Sequence, residues 1–117
     1  MTTQEVANRL VELCRMGQFE QAQKELYAAD AISLEAEPSP MPRVEGLEAI
    51  VQKGQVFQSM VEAFHGITVS DPIIAGNIFS VTMAMDAQMK GRDRGMMHEV
   101  AVYKVKEGKI IMEQFIF

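Results

Sequence analysis

Glu99 and Tyr103, two side chains able to take part in proton chemistry, fall on the same face of a predicted strand. The segment from Met96 to Lys106 alternates in polarity, and its Lys104 has the parity of a solvent-facing residue. Successive strand residues point to opposite faces, so Glu99 and Tyr103 should face whatever layer covers the sheet. An acid in an apolar pocket has a raised pKa, because burial disfavours its charged form. The pattern predicts proton transfer on a small apolar carbonyl compound, with a structural or rim position for the acids as the alternative.

The predicted wall of this pocket is apolar. In the preceding strand, Met83 and Met85 share a face with Phe79 and Val81. The chain contains ten Met and no Trp, and Met both fills irregular gaps in cores and lines adaptable cavities. A ligand-shaped cavity and a Met-tolerant core both stay open as interpretations. A single bulge in this strand would exchange its two faces.

Neither histidine predicts a metal site. His65 is expected to close the third helix just before Gly66, where the helix dipole favours it, and a polar position in the pocket is the alternative. His98 and Glu99 are adjacent on one strand and therefore point to opposite faces. No metal or other cofactor is expected. Cys14 lies on an apolar helix face and is predicted to be a small core residue.

A ladder of strands in the second half of the chain must position these residues. Its breaks contain Gly or Asn, which tolerate the positive φ of tight hairpin turns. The breaks therefore suit short antiparallel hairpins, so the segments between them are predicted to form a meander. The predicted strands span Ile67 to Ala75, Ile78 to Met89, Met96 to Lys106 and Ile110 to Phe117.

Three helices are predicted before that ladder, over residues 3–16, about 18–28 and about 46–64. Thr2 and Glu5 have the spacing of a capping box at the first helix. Phe57 belongs to the apolar stripe of the third helix. A strand is expected over residues 30–35, and Pro38, Pro40 and Pro42 exclude regular structure over 38–42.

Helices followed by a curved antiparallel sheet predict one α+β domain over residues 1–117, in the order α-α-β-α-β-β-β-β. A cavity is expected between the helices and the sheet. The formal net charge of −5 argues against nucleic acid as a partner. The lone Cys favours a reducing compartment. The sequence shows no signal peptide and no bilayer-spanning apolar stretch, so we expect a cytoplasmic protein that does not bind membranes.

Four short segments carry a family resemblance. They are Leu10-Val11-Glu12-Leu13 with Gly17, Leu26-Tyr27-Ala28-Ala29-Asp30-Ala31, Gly46-Leu47-Glu48-Ala49-Ile50 and Val105-Lys106-Glu107-Gly108-Lys109-Ile110. In this order and spacing the chain resembles the NTF2-like superfamily, and within it the SnoaL-like and ketosteroid-isomerase-like branches. The resemblance implies a cone-shaped fold of three helices packed on a curved sheet.

The resemblance also implies roles for individual residues. Glu35 matches the carboxylate general base of ketosteroid isomerases, but the two oxyanion-hole positions match Leu10 and Ala101, which cannot donate a side-chain hydrogen bond. Because stabilising the developing enolate is usually the larger contribution, true steroid isomerisation is not expected. In polyketide cyclases an acid on the sheet does the acid/base work, and Glu99 or Asp86 loosely resembles it.

The same resemblance implies that the side chains of Glu113, Phe115 and Phe117 point into the cavity. Phe117 is at the position of a pocket-lining aromatic residue. Glu35 and Glu99 are then the candidate catalytic residues. The candidate pocket residues are Tyr103, Glu113, Phe115, Phe117, Met83, Met85, Phe57 and His65.

The function stays open at this stage between two classes, because this fold serves enzymes, binders and interaction modules alike. The first is a protein that binds a small apolar molecule, with isomerase or cyclase chemistry. The second is a non-catalytic interaction or ligand-carrier module. Members of the superfamily commonly pair through the convex sheet face, which implies a homodimer with His98 and Asp86 near the interface.

Overall fold

Within residues 1–36, 39 and 41–117, which the computed structural model describes, three helices lie against a seven-stranded sheet. The predicted irregular segment includes Pro38 and Pro40, which lie outside the described residues. The elements are α1 Thr3–Arg15, α2 Phe19–Leu26, β1 Tyr27–Glu35, β2 Arg43–Glu45, α3 Leu47–Ser59, β3 Val61–Val69, β4 Ile73–Ala75, β5 Ile78–Met89, β6 Gly95–Lys106 and β7 Lys109–Ile116.

The sheet has the strand order β2-β1-β7-β6-β5-β3, and β4 pairs with β5 beside this path. The α+β arrangement of three helices on a curved sheet is therefore confirmed. The sheet is mixed and not purely antiparallel, because β1 runs parallel to β7. Register shifts interrupt the β3–β5 pairing and the β6–β7 pairing. Such bulges bend strands and increase their twist, so they contribute to the curvature of the sheet.

The prediction for the third helix was wrong at its C-terminal end. Helix α3 ends at Ser59, and β3 begins at Val61 and pairs antiparallel with β5. Val61 and Phe64 continue the apolar spacing of the helix, but their pairing with β5 gives this segment the hydrogen bonds of a strand. His65 consequently lies on β3 with an exposed side chain, and not at a helix terminus.

The strand predicted from Ile67 to Ala75 is divided by Pro72. Pro has no backbone N–H to give to a ladder, so the run splits into β3 and the short β4. Both pieces pair with β5, at different parts of its length. The three-residue strand β2 was missed, because Arg43–Glu45 is too short for a periodic pattern to show.

Helix α1 closes one side of the core. The predicted capping box is present at its start, where the Thr2 side chain accepts from the Glu5 backbone and the Glu5 side chain accepts from the Thr2 backbone. Leu10 and Cys14 lie on its buried face. Burial raises the pKa of the Cys14 thiol to about 12, so this group stays protonated and behaves as a core residue. No described helix is both long and apolar enough to cross a membrane.

Helix α3 lies against β1 and α2, and Gly46 sets where it begins. Gly46 has φ 90° and ψ 144°, a backbone conformation that is available in practice only to glycine. Its N–H donates to the Ala31 carbonyl of β1 over 2.7 Å, which ties the start of the helix to the sheet. This connection fixes the direction in which the inner face of α3 points.

Two glycine substitutions in this region should have opposite effects on stability. Gly46→Ala should lower the free energy of unfolding by about 1–3 kcal/mol, because alanine is strained at this φ. Gly54→Ala should raise it by up to about 1 kcal/mol, because alanine is the better helix former. A Cβ at Gly54 would meet the Gln23 side chain at an ordinary 3.8 Å. Urea unfolding followed by circular dichroism measures both changes, and the same sign for the two variants would contradict this account.

Candidate functional site

The carboxyl group of Glu113 is buried between the helices and the sheet, with the residue 1% exposed. Glu113 lies on β7, and the strand register places it beside Ser33 of β1 and Tyr103 of β6. The Tyr27 hydroxyl donates a hydrogen bond to its Oε1, and the Ser33 hydroxyl donates to its Oε2 over 2.6 Å. Both carboxyl oxygens therefore have partners, as a buried ionisable group requires.

The Lys53 ammonium connects this buried group to the edge of the protein. It donates to Ser33 Oγ over 2.7 Å and lies 3.1 Å from Glu35 Oε1. It also stands 5.7 Å above the centre of the Phe115 ring, within the range of a cation–π contact. The second oxygen of Glu35 accepts from Ser39 Oγ over 2.5 Å. Glu35 is thus held at both of its oxygens.

Tyr27, Ser33, Glu35, Lys53 and Glu113 form one connected group, which we call the polar network. Ser33 is fully buried, whereas the side chains of Lys53 and Glu35 are 14% and 23% exposed. The network therefore runs from the interior to a partly open rim. Lys53 and Glu35 are its members that a small molecule could reach first.

Glu99, like Glu35, is a partly buried acid of this region. Its strand position faces Met83 on β5, and it lies two residues along β6 from Ala101, the partner of Phe115. The pKa of Glu99 is raised to about 7, first by burial and then by the nearby charges of Glu113 and Glu35, while the charge of Lys53 acts in the opposite direction.

Burial also shifts the other titratable groups of the interior. It raises the pKa of Glu113, while the hydrogen bonds from Ser33 and Tyr27 and the charge of Lys53 act in the opposite direction. Burial raises the pKa values of Tyr27 and Tyr103 well above their ordinary value. Both tyrosines therefore remain neutral hydrogen-bond donors at physiological pH.

Aromatic and Met side chains surround these polar groups. The Tyr103 ring stacks on Phe79 with centroids 4.8 Å apart, and it meets Phe115 edge-on at 6.4 Å. Met83 is buried and Met85 is half-buried on the same side of β5. The alternation predicted for β5 and β6, with these faces turned toward the helices, agrees with the observed burial.

The structure brings most of the predicted site residues together: Glu35, Glu99, Tyr103, Glu113, Phe115, Met83 and Met85. It leaves Phe57, His65 and Phe117 exposed, with Phe57 at 41% and Phe117 at 64%. The pKa of Asp86, at the sheet surface, is lowered chiefly by the hydrogen bond from Arg94, and His65 adds to this shift. Among the described contacts, no hydrogen bond or ring stacking joins these three residues to the polar network. Their place in a pocket stays a prediction.

Three members of the polar network were not predicted as site residues: Lys53, Ser33 and Tyr27. Lys53 does carry a sequence signal, because it stands three residues after Ile50 and four before Phe57, within the apolar stripe of α3. A Lys at that position should reach toward the sheet. Ser33 shares the strand parity of Glu35, so it too belongs to the inner face.

Two surface pockets occur in the described part of the chain. A groove of about 530 Å³ lies mainly along outward-facing residues of β3, β5, β6 and β7, and His98, Val100 and Ile116 are among the residues that line it. A second pocket of about 390 Å³ lies between α1 and Pro72. Glu99 and Met83 also contribute to the lining of the first groove. Neither pocket is lined by Lys53 or Glu113.

Comparison with known proteins supports one family over the whole chain. The family model of the SnoaL-like domain matches residues 1–117. A crystal structure from Mesorhizobium loti, provisionally described as a SnoaL-like polyketide cyclase and carbohydrate phosphatase, is 36% identical and aligns over 100% of both chains with a TM-score of 0.94. No protein of curated function matches in sequence.

More distant structures share the fold alone. A Catenulispora acidiphila protein with a ketosteroid isomerase-like fold, in complex with trimethylamine, is 18% identical, with 97% of this chain and 85% of the other aligned at a TM-score of 0.77. An NTF2-like protein of unknown function from Burkholderia pseudomallei is 11% identical, with 100% and 92% aligned at a TM-score of 0.82. The match of the family model along the entire chain leads to one conclusion: this protein belongs to the SnoaL-like domain family.

Proposed function

We propose that this protein binds a small, mostly apolar carbonyl compound between α3 and the sheet and moves a proton on it, with Glu99 as the base. The observation that carries the proposal is the half-buried Glu99, whose pKa is about 7 and which stands beside Met83 and near the polar network. A group with this pKa can both accept and return a proton at neutral pH.

The proposed step breaks a C–H bond next to the carbonyl group. The proton passes to a carboxylate oxygen of Glu99, and the electron pair of that bond moves to the carbonyl oxygen to give an enolate. Return of the proton from Glu99 to another carbon gives an isomer. Alternatively, the enolate carbon attacks a second carbonyl carbon to close a ring, the π electrons of that carbonyl move to its oxygen, and the resulting alkoxide takes the proton back from Glu99. Both outcomes need the same base and the same stabilisation of the oxygen.

Glu99 suits the role of base better than Glu35 or Glu113. Glu35 is held at one oxygen by Lys53 and at the other by Ser39. Glu113 is almost fully buried and accepts two hydrogen bonds. Within the described residues, the side chain of Glu99 has no hydrogen-bond partner, so its oxygens are available to a ligand.

The relatives support this class of chemistry. The Mesorhizobium loti protein, aligned over its full length, is provisionally described as a polyketide cyclase. Two structures of the same fold were obtained with small organic molecules, trimethylamine in one and polyporic acid in the other. At 18% and 12% identity these two support the capacity of the fold to hold a small ligand and do not define the ligand here.

The pKa of Glu99 should respond in opposite directions to two nearby substitutions. Glu113→Gln should lower it, because a carboxyl group that disfavours the charge of Glu99 is removed. Lys53→Met should raise it, because a favourable positive charge is removed. NMR titration of the side-chain carboxyl carbons measures this pKa in the three proteins. An ordinary value near 4.5 in the wild type would contradict the proposal.

Proton exchange on 2-tetralone, a small bicyclic ketone, tests the base directly. The protein in D₂O should accelerate loss of the α-proton NMR signal, with a rate that rises with pH as Glu99 ionises and levels off above about pH 7. Glu99→Gln should lower the rate by about 10²–10⁴-fold. Glu62→Gln, at an exposed position on β3, is the matched control and should keep the wild-type rate. Tight binding of the ketone without exchange would favour the carrier function instead.

We also propose that the protein forms a homodimer through the outward sheet face. Val100 and Ile116 are paired neighbours on β6 and β7 and are 39% and 51% exposed, on the edge of the 530 Å³ groove. Apolar side chains at these positions favour burial against another surface. The groove gives that surface the concave shape into which a partner side chain packs.

A charge placed on this face should separate the two copies. The wild type should have twice the 13.1 kDa mass of one chain in light scattering after gel filtration. Val100→Lys should have the mass of one chain, because the new ammonium would lose its water in the interface. Met16→Lys, which alters an exposed apolar residue beside the helices, should stay dimeric. A single-chain mass for the wild type at micromolar concentration would contradict the dimer.

A further inference from the structure

The proposed reaction places negative charge on the carbonyl oxygen of the ligand, and that oxygen needs a donor. The family positions for this role are occupied by Leu10 and Ala101, whose side chains have no donor. The hydroxyl groups of Tyr27 and Ser33 are already directed at Glu113. A different residue of this chain must therefore face the oxygen.

We propose that Lys53 binds the carbonyl oxygen of the ligand and stabilises the enolate, an inference that rests on the proposed function. The substrate class is then a ketone, or a phenol in its keto form, with an apolar body. A cationic amine does not fit this position, because it would lie against the ammonium.

The surroundings of Lys53 hold it in place for this role. Its ammonium carries three N–H bonds, and within the described residues two acceptors engage it, Ser33 and Glu35. One N–H bond is thus left for a further acceptor. The side chain is 14% exposed, so it is largely desolvated yet reachable from outside. A donor fixed in this manner needs little reorganisation when charge develops on the ligand.

Lys53 and Glu99 flank one apolar surface. Lys53 stands over the Phe115 ring, and Phe115 is the β7 partner of Ala101, two residues from Glu99 on the same face of β6. The positive charge of Lys53 also lowers the pKa of Glu99, against the larger effect of burial. A flat ligand lying near Phe115 could place its oxygen toward the ammonium and its acidic carbon toward the carboxylate.

The charge distribution favours this arrangement. Three carboxyl groups, Glu35, Glu99 and Glu113, face a single ammonium in this region. Transfer of the proton to Glu99 neutralises one carboxylate and creates an oxyanion, so the total charge stays the same. The negative charge moves from an acid without a described hydrogen-bond partner to an oxygen that faces Lys53. Lys53 therefore stabilises the enolate formed in the step more than it stabilises the starting state.

Binding of 2-naphthol tests this role without turnover, because the absorbance of 2-naphthol distinguishes the phenol from the phenolate. In the wild type, the apparent pKa of bound 2-naphthol should fall by about one to three units relative to free 2-naphthol, since a cation within reach favours the charged form. Lys53→Met should bind 2-naphthol as the neutral phenol, and Lys53→Arg should keep most of the ionisation. Lys104→Met, an exposed lysine on the outward parity of β6, should behave as the wild type.

The outcomes separate this inference from the proposed function. No binding of 2-naphthol to the wild type would contradict both. Binding as the neutral phenol, or equal ionisation in the wild type and Lys53→Met, would contradict the role of Lys53 and leave the base assigned to Glu99. Loss of ionisation in Tyr103→Phe but not in Lys53→Met would overturn the assignment in favour of Tyr103. The circular dichroism spectrum of each variant establishes that it is folded.

Discussion

The burial of Glu113 is the constraint on which the interior of this protein depends. A carboxyl group removed from water is tolerated only when its oxygens are hydrogen-bonded and its charge is balanced. The parallel pairing of β1 with β7 brings Ser33 beside Glu113, and the start of β1 supplies the hydroxyl of Tyr27. Lys53 then supplies positive charge from the opposite layer through Ser33. One buried acid thus links two strands and a helix.

The burial of Glu113 also affects the pKa of Glu99. Its pKa is raised by burial first, and the carboxyl groups of Glu113 and Glu35 add to the shift. The Lys53 ammonium, which engages Ser33 and Glu35, lowers the pKa of Glu99 but does not cancel the upward shift. A cluster that satisfies the deepest acid leaves the next acid poised near neutral pH. The hydrogen bonding of the network and the raised pKa of its neighbour Glu99 therefore have the same physical origin, which is the burial of carboxyl groups.

Much of this fold follows from periodicity, while the site follows from pairing across layers. The alternation in Ile78–Met89 and Met96–Lys106 was strong enough to predict the bounds of β5, the end of β6 and the inward direction of Glu99 and Tyr103. The end of α3 was not predictable in this way, because the apolar spacing through Val61 and Phe64 suits a helix and a strand. The end of the helix is decided by pairing with β5, in which Val61 and Phe64 lie opposite residues 28 and 23 positions later in the sequence.

Lys53 shows most clearly what the pattern of apolar residues cannot predict. Its position between Ile50 and Phe57 on α3 places a charge among apolar residues, which taken alone is an unfavourable pattern. The charge is favourable only because Ser33 and Glu35, eighteen to twenty residues earlier, lie opposite on β1. Such exceptions to patterning are expected at sites that serve a function, since stability alone would favour an apolar residue there. A lysine that departs from the apolar pattern of its own helix, and yet has partners on the facing strand, is for that reason the residue that we propose to bind the ligand oxygen.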